Sequence, residues 1–125
     1  MLITYESLLN NDIEAVRSEI DAGAEVNART QDRNETALMV AACYNYVRMA
    51  ELLIESGADV NLCDIDGITP LVFAAHNNSF EVARLLLENG VDVNTKEKNG
   101  ATALMIAVSR NHSDIACLIR EYGGE

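Results

Sequence analysis

The sequence predicts an all-α repeat solenoid, a stack of four helix pairs with three connecting β-hairpin-like loops. Three observations predict it. The segments AGAEVN, SGADVN and NGVDVN end at Asn27, Asn61 and Asn94; their glycines, Gly23, Gly57 and Gly90, are followed by Gly123 at spacings of 34, 33 and 33 residues. Between them ETALMVAA, ITPLVFAA and ATALMIAV recur around Thr36, Thr69 and Thr102, 33 residues apart. After each of these comes an amphipathic run that stops on one of the glycines. A fixed period of this length marks supersecondary units that share one continuous core.

Each element has its own reason in the residues. Thr36, Thr69 and Thr102 precede apolar runs and can N-cap them through the side-chain hydroxyl. Pro70 falls at the first helical position, where its missing N–H costs nothing, and Ala37 and Ala103 hold that place in the other copies. Leu38, Ala41 and Ala42, like Leu71, Ala74 and Ala75, form an apolar face with small residues that permit close stacking. These short first helices end at Asn11, Asn45, Asn78 and Asn111, a residue type that tolerates the left-handed conformation of a tight turn. The second helices read YVRMAELLIES, SFEVARLLLEN and HSDIACLIREY. In the middle one Phe80, Ala83, Leu86 and Leu87 share a face, with Glu81, Arg84 and Glu88 opposite. Gly57, Gly90 and Gly123 stop these helices, and Asn34, Gly67 and Gly100 serve the turns that follow. The first link, ARTQDRNE, is one residue longer than the others and predicts a distorted hairpin.

The ends differ from the middle. Ser18 and Glu19 stand where the third unit has Leu85 and Leu86, and Arg120 stands where it has Leu87. Polar residues in place of core leucines suit the water-facing ends of a solenoid. The expectation is one complete, capped domain over residues 1–125, with units near 1–30, 31–63, 64–96 and 97–125.

The pattern Gly-x-Asp-Val-Asn, a turn Gly and Thr-Pro-Leu-x-x-Ala-Ala resembles the ankyrin repeat, and the resemblance covers essentially the whole chain. Met39, Val72 and Met105 stand where that family usually has the His of Thr-Pro-Leu-His, and are expected to pack instead. The resemblance implies a non-enzymatic protein-binding scaffold that uses its hairpin tips and the exposed side of its first helices as a concave surface. Carried over by position, that surface comprises Gln31, Asp32, Arg33 and Glu35; Ile65, Asp66 and Ile68; Lys98, Asn99 and Ala101. The helices add Cys43, Tyr44, His76, Asn77, Ser109 and Arg110. Ile65 and Ile68 flank Asp66-Gly67 at a tip, where apolar side chains gain little from the core unless one folds back onto the stack. Tyr44 is of the residue type that anchors interfaces.

Composition narrows the function. A net charge of −11 repels phosphate, which argues against nucleic acid and against anionic membranes, and it would steer in a basic partner. No apolar run reaches the ~20 residues of a membrane span. The opening MLITYESLLNND has no basic leader pattern, and three scattered cysteines fit a reducing compartment. A cytoplasmic protein, monomeric when free, is expected.

For chemistry, Cys43, His76 and Ser109 occupy one position in successive units. Stacked helices lie ~8–10 Å apart, whereas a working dyad needs ~3 Å. There is no Cys-x-x-Cys or His-x-x-x-His pair, so neither metal nor cofactor is expected. The glycosylation-like NET, NNS and NHS are by-products of Asn turns. The leading reading is an adaptor that binds another protein. The alternatives are an acidic inhibitor or antitoxin-like protein that occludes a basic enzyme such as a nuclease and, remotely, an enzyme. The acidic outer face is either a solvated surface or an attractor for that partner.

Overall fold

The structure, a computed structural model, describes residues 2–125; Met1, at the start of the expected first unit, lies outside the described residues. Eight helices follow in pairs: α1 (Tyr5–Leu9) with α2 (Ile13–Asp21), α3 (Ala37–Tyr44) with α4 (Val47–Glu55), α5 (Pro70–Asn77) with α6 (Phe80–Glu88), and α7 (Ala103–Ser109) with α8 (Ser113–Glu121). Among the described residues there is no strand, only an isolated parallel bridge between Leu2 and Glu25. The fold is the all-α ankyrin stack that the period predicts.

The local signals operate as the residue chemistry requires. The hydroxyls of Thr36, Thr69 and Thr102 accept from Met39, Val72 and Met105 N–H at 3.4, 3.4 and 3.3 Å. Asn11, Asn45, Asn78 and Asn111 turn each first helix into the second with φ between 52° and 62°. The second helices close with paired bonds around a left-handed glycine, as in Ala58 N–H to Leu53 O at 2.9 Å and Gly57 N–H to Ile54 O at 3.1 Å.

The loops are narrow hairpins without a ladder. Asp64 N–H donates to Ile68 O at 3.0 Å and Glu97 N–H to Ala101 O at 2.9 Å, each across a five-residue turn. In the first loop the matching bond runs from Thr30 N–H to Glu35 O at 2.9 Å and spans one residue more, so the insertion is absorbed at the tip. Neighbouring tips are tied by Ile65 N–H to Arg33 O at 2.9 Å and Lys98 N–H to Asp66 O at 3.0 Å. Gly67 has to be glycine on two counts: φ is +78°, and a Cβ would meet the Glu97 Cα and Lys98 N at 3.3 Å.

A second tie, which the sequence reading does not anticipate, is made by the repeated asparagines. Asn27, Asn61 and Asn94 accept through Oδ1 from Asp59, Asp92 and Glu125 N–H at 2.7, 2.8 and 3.0 Å, each in the next unit. Between helices, Asn45 bridges units two and three, donating to Glu81 at 2.7 Å and accepting from Val82 N–H at 3.1 Å.

The core runs the length of the stack. In α3 every residue from Ala37 to Ala42 is buried, because its neighbours press on it from several sides. The second helices bury one stripe each: Met49, Ala50, Leu52 and Leu53; Val82, Ala83, Leu86 and Leu87; Ile115, Ala116 and Ile119. Phe80 is only half-buried at the edge of its stripe, with the Arg84 guanidinium 5.1 Å from its ring centre, and Val82 is fully buried instead.

The two ends are not alike. At the first unit Glu19 accepts from Thr4 N–H at 2.7 Å, Thr4 Oγ1 at 2.9 Å and Ser7 Oγ at 2.9 Å, which makes a polar cap. At the other end the expectation that Met105 packs has to be corrected. Met39 and Val72 are 1% exposed and Met105 is 50% exposed, as is Val108, whose counterparts Ala42 and Ala75 are fully buried. These positions are covered by the following helix pair, and no pair follows α7 and α8.

Two stability results follow. Leu86→Ala removes a fully buried side chain from the central unit and should cost ~2–5 kcal/mol in urea unfolding, whereas Cys117→Ser, on an exposed position, should stay within ~0.5 kcal/mol. Burial pushes the Glu19 carboxyl up, but the bonds from Thr4 and Ser7 prevail and hold it below the usual glutamate range. Its contribution is therefore present above the ordinary glutamate value and is lost as pH falls through the lowered one. Glu19→Gln should flatten that part of the acid limb of Tm against pH; an unchanged limb would show that the cap contributes nothing.

Candidate partner-binding surface

The hairpin tips and the ends of the first helices present the positions singled out by the sequence. Asp32, Arg33, Tyr44, Ile65, Asn77, Lys98, Asn99, Ser109 and Arg110 are exposed, while Glu35, Cys43, Asp66, Ile68 and His76 are half-buried. Tyr44 and Ile65 stand out as apolar groups 55% and 51% exposed. Ile68 does not join them: its side chain packs against the core, so it serves the stack. Of the two isoleucines at this tip, only Ile65 is free to meet a partner.

The first two tips converge on one guanidinium. Arg33 Nη2 lies 2.7 Å from Asp66 Oδ2 and 3.8 Å from Asp64 Oδ2, and Arg33 Nε is 3.8 Å from Glu35 Oε2. Asp64, which the sequence reading passes over, shapes the turn. Its Oδ1 accepts from Asp66 and Ile68 N–H, both at 2.9 Å. Its Oδ2 has no hydrogen-bond partner, although the side chain is wholly buried. Burial, opposed by Arg33 and reinforced by Asp64 and Asp32, raises the Glu35 carboxyl above the usual range.

An aromatic cluster adjoins these acids. The Tyr44 ring stacks on Tyr46 with centres 5.4 Å apart and planes 26° apart, and Tyr46 Oη donates to Leu9 O at 2.8 Å. Tyr5, on α1, belongs to the same neighbourhood: burial raises its hydroxyl pKa, and Glu35, Tyr44, Cys43 and Asp32 raise it further. Tyr5 and Leu9 are 48% and 41% exposed and one helical turn apart. The sequence reading misses both. A signal for Leu9 was there, since it lies 34 residues before Cys43 and extends the series Cys43, His76, Ser109 to the first unit.

Residues 4–97 and 48–125 match a family described as ankyrin repeats (3 copies). The chain belongs to the ankyrin-repeat family. Among curated proteins it is similar to the protein phosphatase 1 regulatory subunit 12A of Mus musculus, 38% identical over 85 residues, covering 53% of this chain and 8% of that protein. The potassium channel AKT1 of Oryza sativa subsp. indica is 43% identical over 60 residues, 48% of this chain and 6% of the channel. The nuclear factor NF-kappa-B p105 subunit of Mus musculus is 38% identical over 66 residues, 52% and 7%. The chain thus spans less than a tenth of each of these relatives. Ankyrin repeats are protein-interaction scaffolds, and no helix of the described residues is long and apolar enough to cross a membrane.

The electrostatics of this ankyrin surface oppose nucleophilic chemistry. Burial, then Glu35 and Asp64, pushes the Cys43 thiol up to about 11. Burial, then Arg110, lowers the His76 pKa. A nucleophilic cysteine needs the reverse shift, from a cation or an adjacent base. At pH 8 only about a thousandth of Cys43 is thiolate, so iodoacetamide should alkylate it far more slowly than exposed Cys117. Glu35→Gln should speed the Cys43 reaction by removing one of the charges that oppose ionisation. Equal rates at the two cysteines would contradict the electrostatic picture.

Proposed function

We propose that this ankyrin-repeat chain is a non-enzymatic adaptor that docks another protein on the surface formed by its hairpin tips and first helices. The observation that carries the reading is the exposure of Tyr44 and Ile65, with Tyr5 and Leu9 beside Tyr44, on a molecule whose other large apolar side chains are mostly buried. Large amphipathic side chains of this kind supply interface energy at low entropic cost. The contact residues are Asp32, Arg33, Glu35, Cys43, Tyr44, Ile65 and Asp66 at the first two tips and helices, continued by His76, Asn77, Lys98, Asn99, Ser109 and Arg110. Ile68 contributes by holding its loop.

A second reading keeps the surface and sharpens the partner: an inhibitor that occludes a basic enzyme. It draws support from the carboxylates of Asp32, Glu35, Asp64 and Asp66 around the single Arg33 and from a net charge of −11. Reversal of Asp32, Glu35 and Asp66 to Lys separates the two, since an acid-steered inhibitor loses association rate and salt dependence while a neutral adaptor keeps a salt-insensitive on-rate.

With a partner captured from the native host, Tyr44→Ala and Ile65→Ala should each weaken binding by more than ~1 kcal/mol, mostly through the off-rate. Both should leave Tm nearly unchanged, because the side chains are half out of the protein. If Glu81→Lys and Arg84→Glu on the outer face of α6 abolish binding while the tip variants do nothing, the assignment is wrong.

A further inference from the structure

Beside the carboxylate cluster lies a pocket. The first segment of the chain runs along the loop after α2, held there by the Leu2–Glu25 bridge. Between that segment, the first hairpin and α3 is a mainly apolar hollow of about 490 Å³, open on one side. Ile3, Leu8, Val26, Ala28 and Val40 line it, with Tyr5 and Glu35 at its mouth. Glu35 therefore belongs to two things at once: it borders the hollow and stands 3.8 Å from Arg33 Nε.

We propose that the hollow and the acidic cluster form one two-part docking site for a short stretch of a protein partner that carries a bulky apolar side chain next to Arg or Lys. The inference rests on the scaffold reading above and names the chemistry of the partner's contact segment.

Three observations select that occupant. The cluster sets four carboxylates, those of Asp32, Glu35, Asp64 and Asp66, against one guanidinium, so an incoming cation meets a local excess of negative charge. Only one of those contacts is a real hydrogen bond, Arg33 to Asp66 at 2.7 Å; the 3.8 Å approaches to Asp64 and Glu35 are too long. The third is Asp64 Oδ2, a buried acceptor without a donor, beneath a half-exposed Arg33 that can move aside. Buried acceptors of this kind are rare unless a further group completes them, and a guanidinium or ammonium does so with charge. The hollow supplies the other half, since apolar walls bind an apolar side chain and leave its neighbouring residue at the mouth beside Glu35.

The test uses blocked dipeptides titrated into the full chain and followed by backbone and methyl NMR shifts: acetyl-Leu-Arg amide, acetyl-Leu-Glu amide and acetyl-Ala-Arg amide. Saturable shifts at Ile3, Val26, Glu35 and Val40 are expected from Leu-Arg, at least about 10-fold tighter than from either counterpart and in the millimolar range of so small a ligand. Ala28→Leu, which fills the hollow, should remove the Leu-dependent part; circular dichroism confirms that the variant is folded. Glu35→Gln leaves the hollow intact and should remove the advantage of Arg over Glu. Equal binding of Leu-Glu, shifts located elsewhere, or no saturable shift at about 10 mM would overturn the proposal. So would a captured protein whose binding falls with Tyr44→Ala but ignores both Ala28→Leu and Glu35→Gln, a result that leaves the scaffold reading standing.

Discussion

No helix pair in this chain has a core of its own. Each first helix is two turns long and each second helix nine residues at most, lengths at which an isolated helix is marginal in water. What stabilises them is the face of the next pair, and α3 shows the consequence: Ala37 to Ala42 are all buried because the helix has neighbours on several sides. The small residues Ala41, Ala42, Ala74 and Ala75 follow from this constraint, since close stacking needs them. So do the inter-unit bonds of Asn27, Asn61 and Asn94, which fix the spacing at which the apolar faces meet.

The same constraint builds the surface. Stacked units bring successive hairpin tips side by side, tied through Ile65 N–H to Arg33 O and Lys98 N–H to Asp66 O. Residues a full period apart in sequence become neighbours, which is how Arg33 reaches Asp66 and how Tyr5 shares its surroundings with Cys43 and Tyr44. Rigid units also hold the tips in place without a partner, so little order has to be created on binding.

The fold was legible because repetition multiplies weak signals. One Thr cap or one left-handed Asn says little; the same residue recurring through Thr36, Thr69 and Thr102 or Asn11, Asn45, Asn78 and Asn111 leaves little choice. The loop insertion before Asn34 could be read from spacing alone. Features that occur once were harder. Ile65 and Ile68 look equivalent in sequence, and only three dimensions show that Ile68 folds back on the core while Ile65 does not. Tyr5, in a first unit that departs from the repeat, had no copy to compare with. Met105 resembles Met39 in sequence but lacks a following unit to cover it. Asp64 was invisible as a binding group because its singularity is an unsatisfied oxygen, which no residue pattern encodes.

The account stands on the claim that partners meet the tips and first-helix ends of this stack, on the side shared by Tyr5, Arg33, Tyr44 and Ile65. Hydrogen exchange of the chain, free and saturated with a partner captured from its host, tests that claim most directly, because it reports every segment at once. The account predicts that partner-induced protection concentrates in residues 30–35, 43–46 and 64–68, with the segments 81–88 and 114–121 unchanged. Protection confined to those two outer segments, with the tips exchanging as fast as in the free chain, would contradict it.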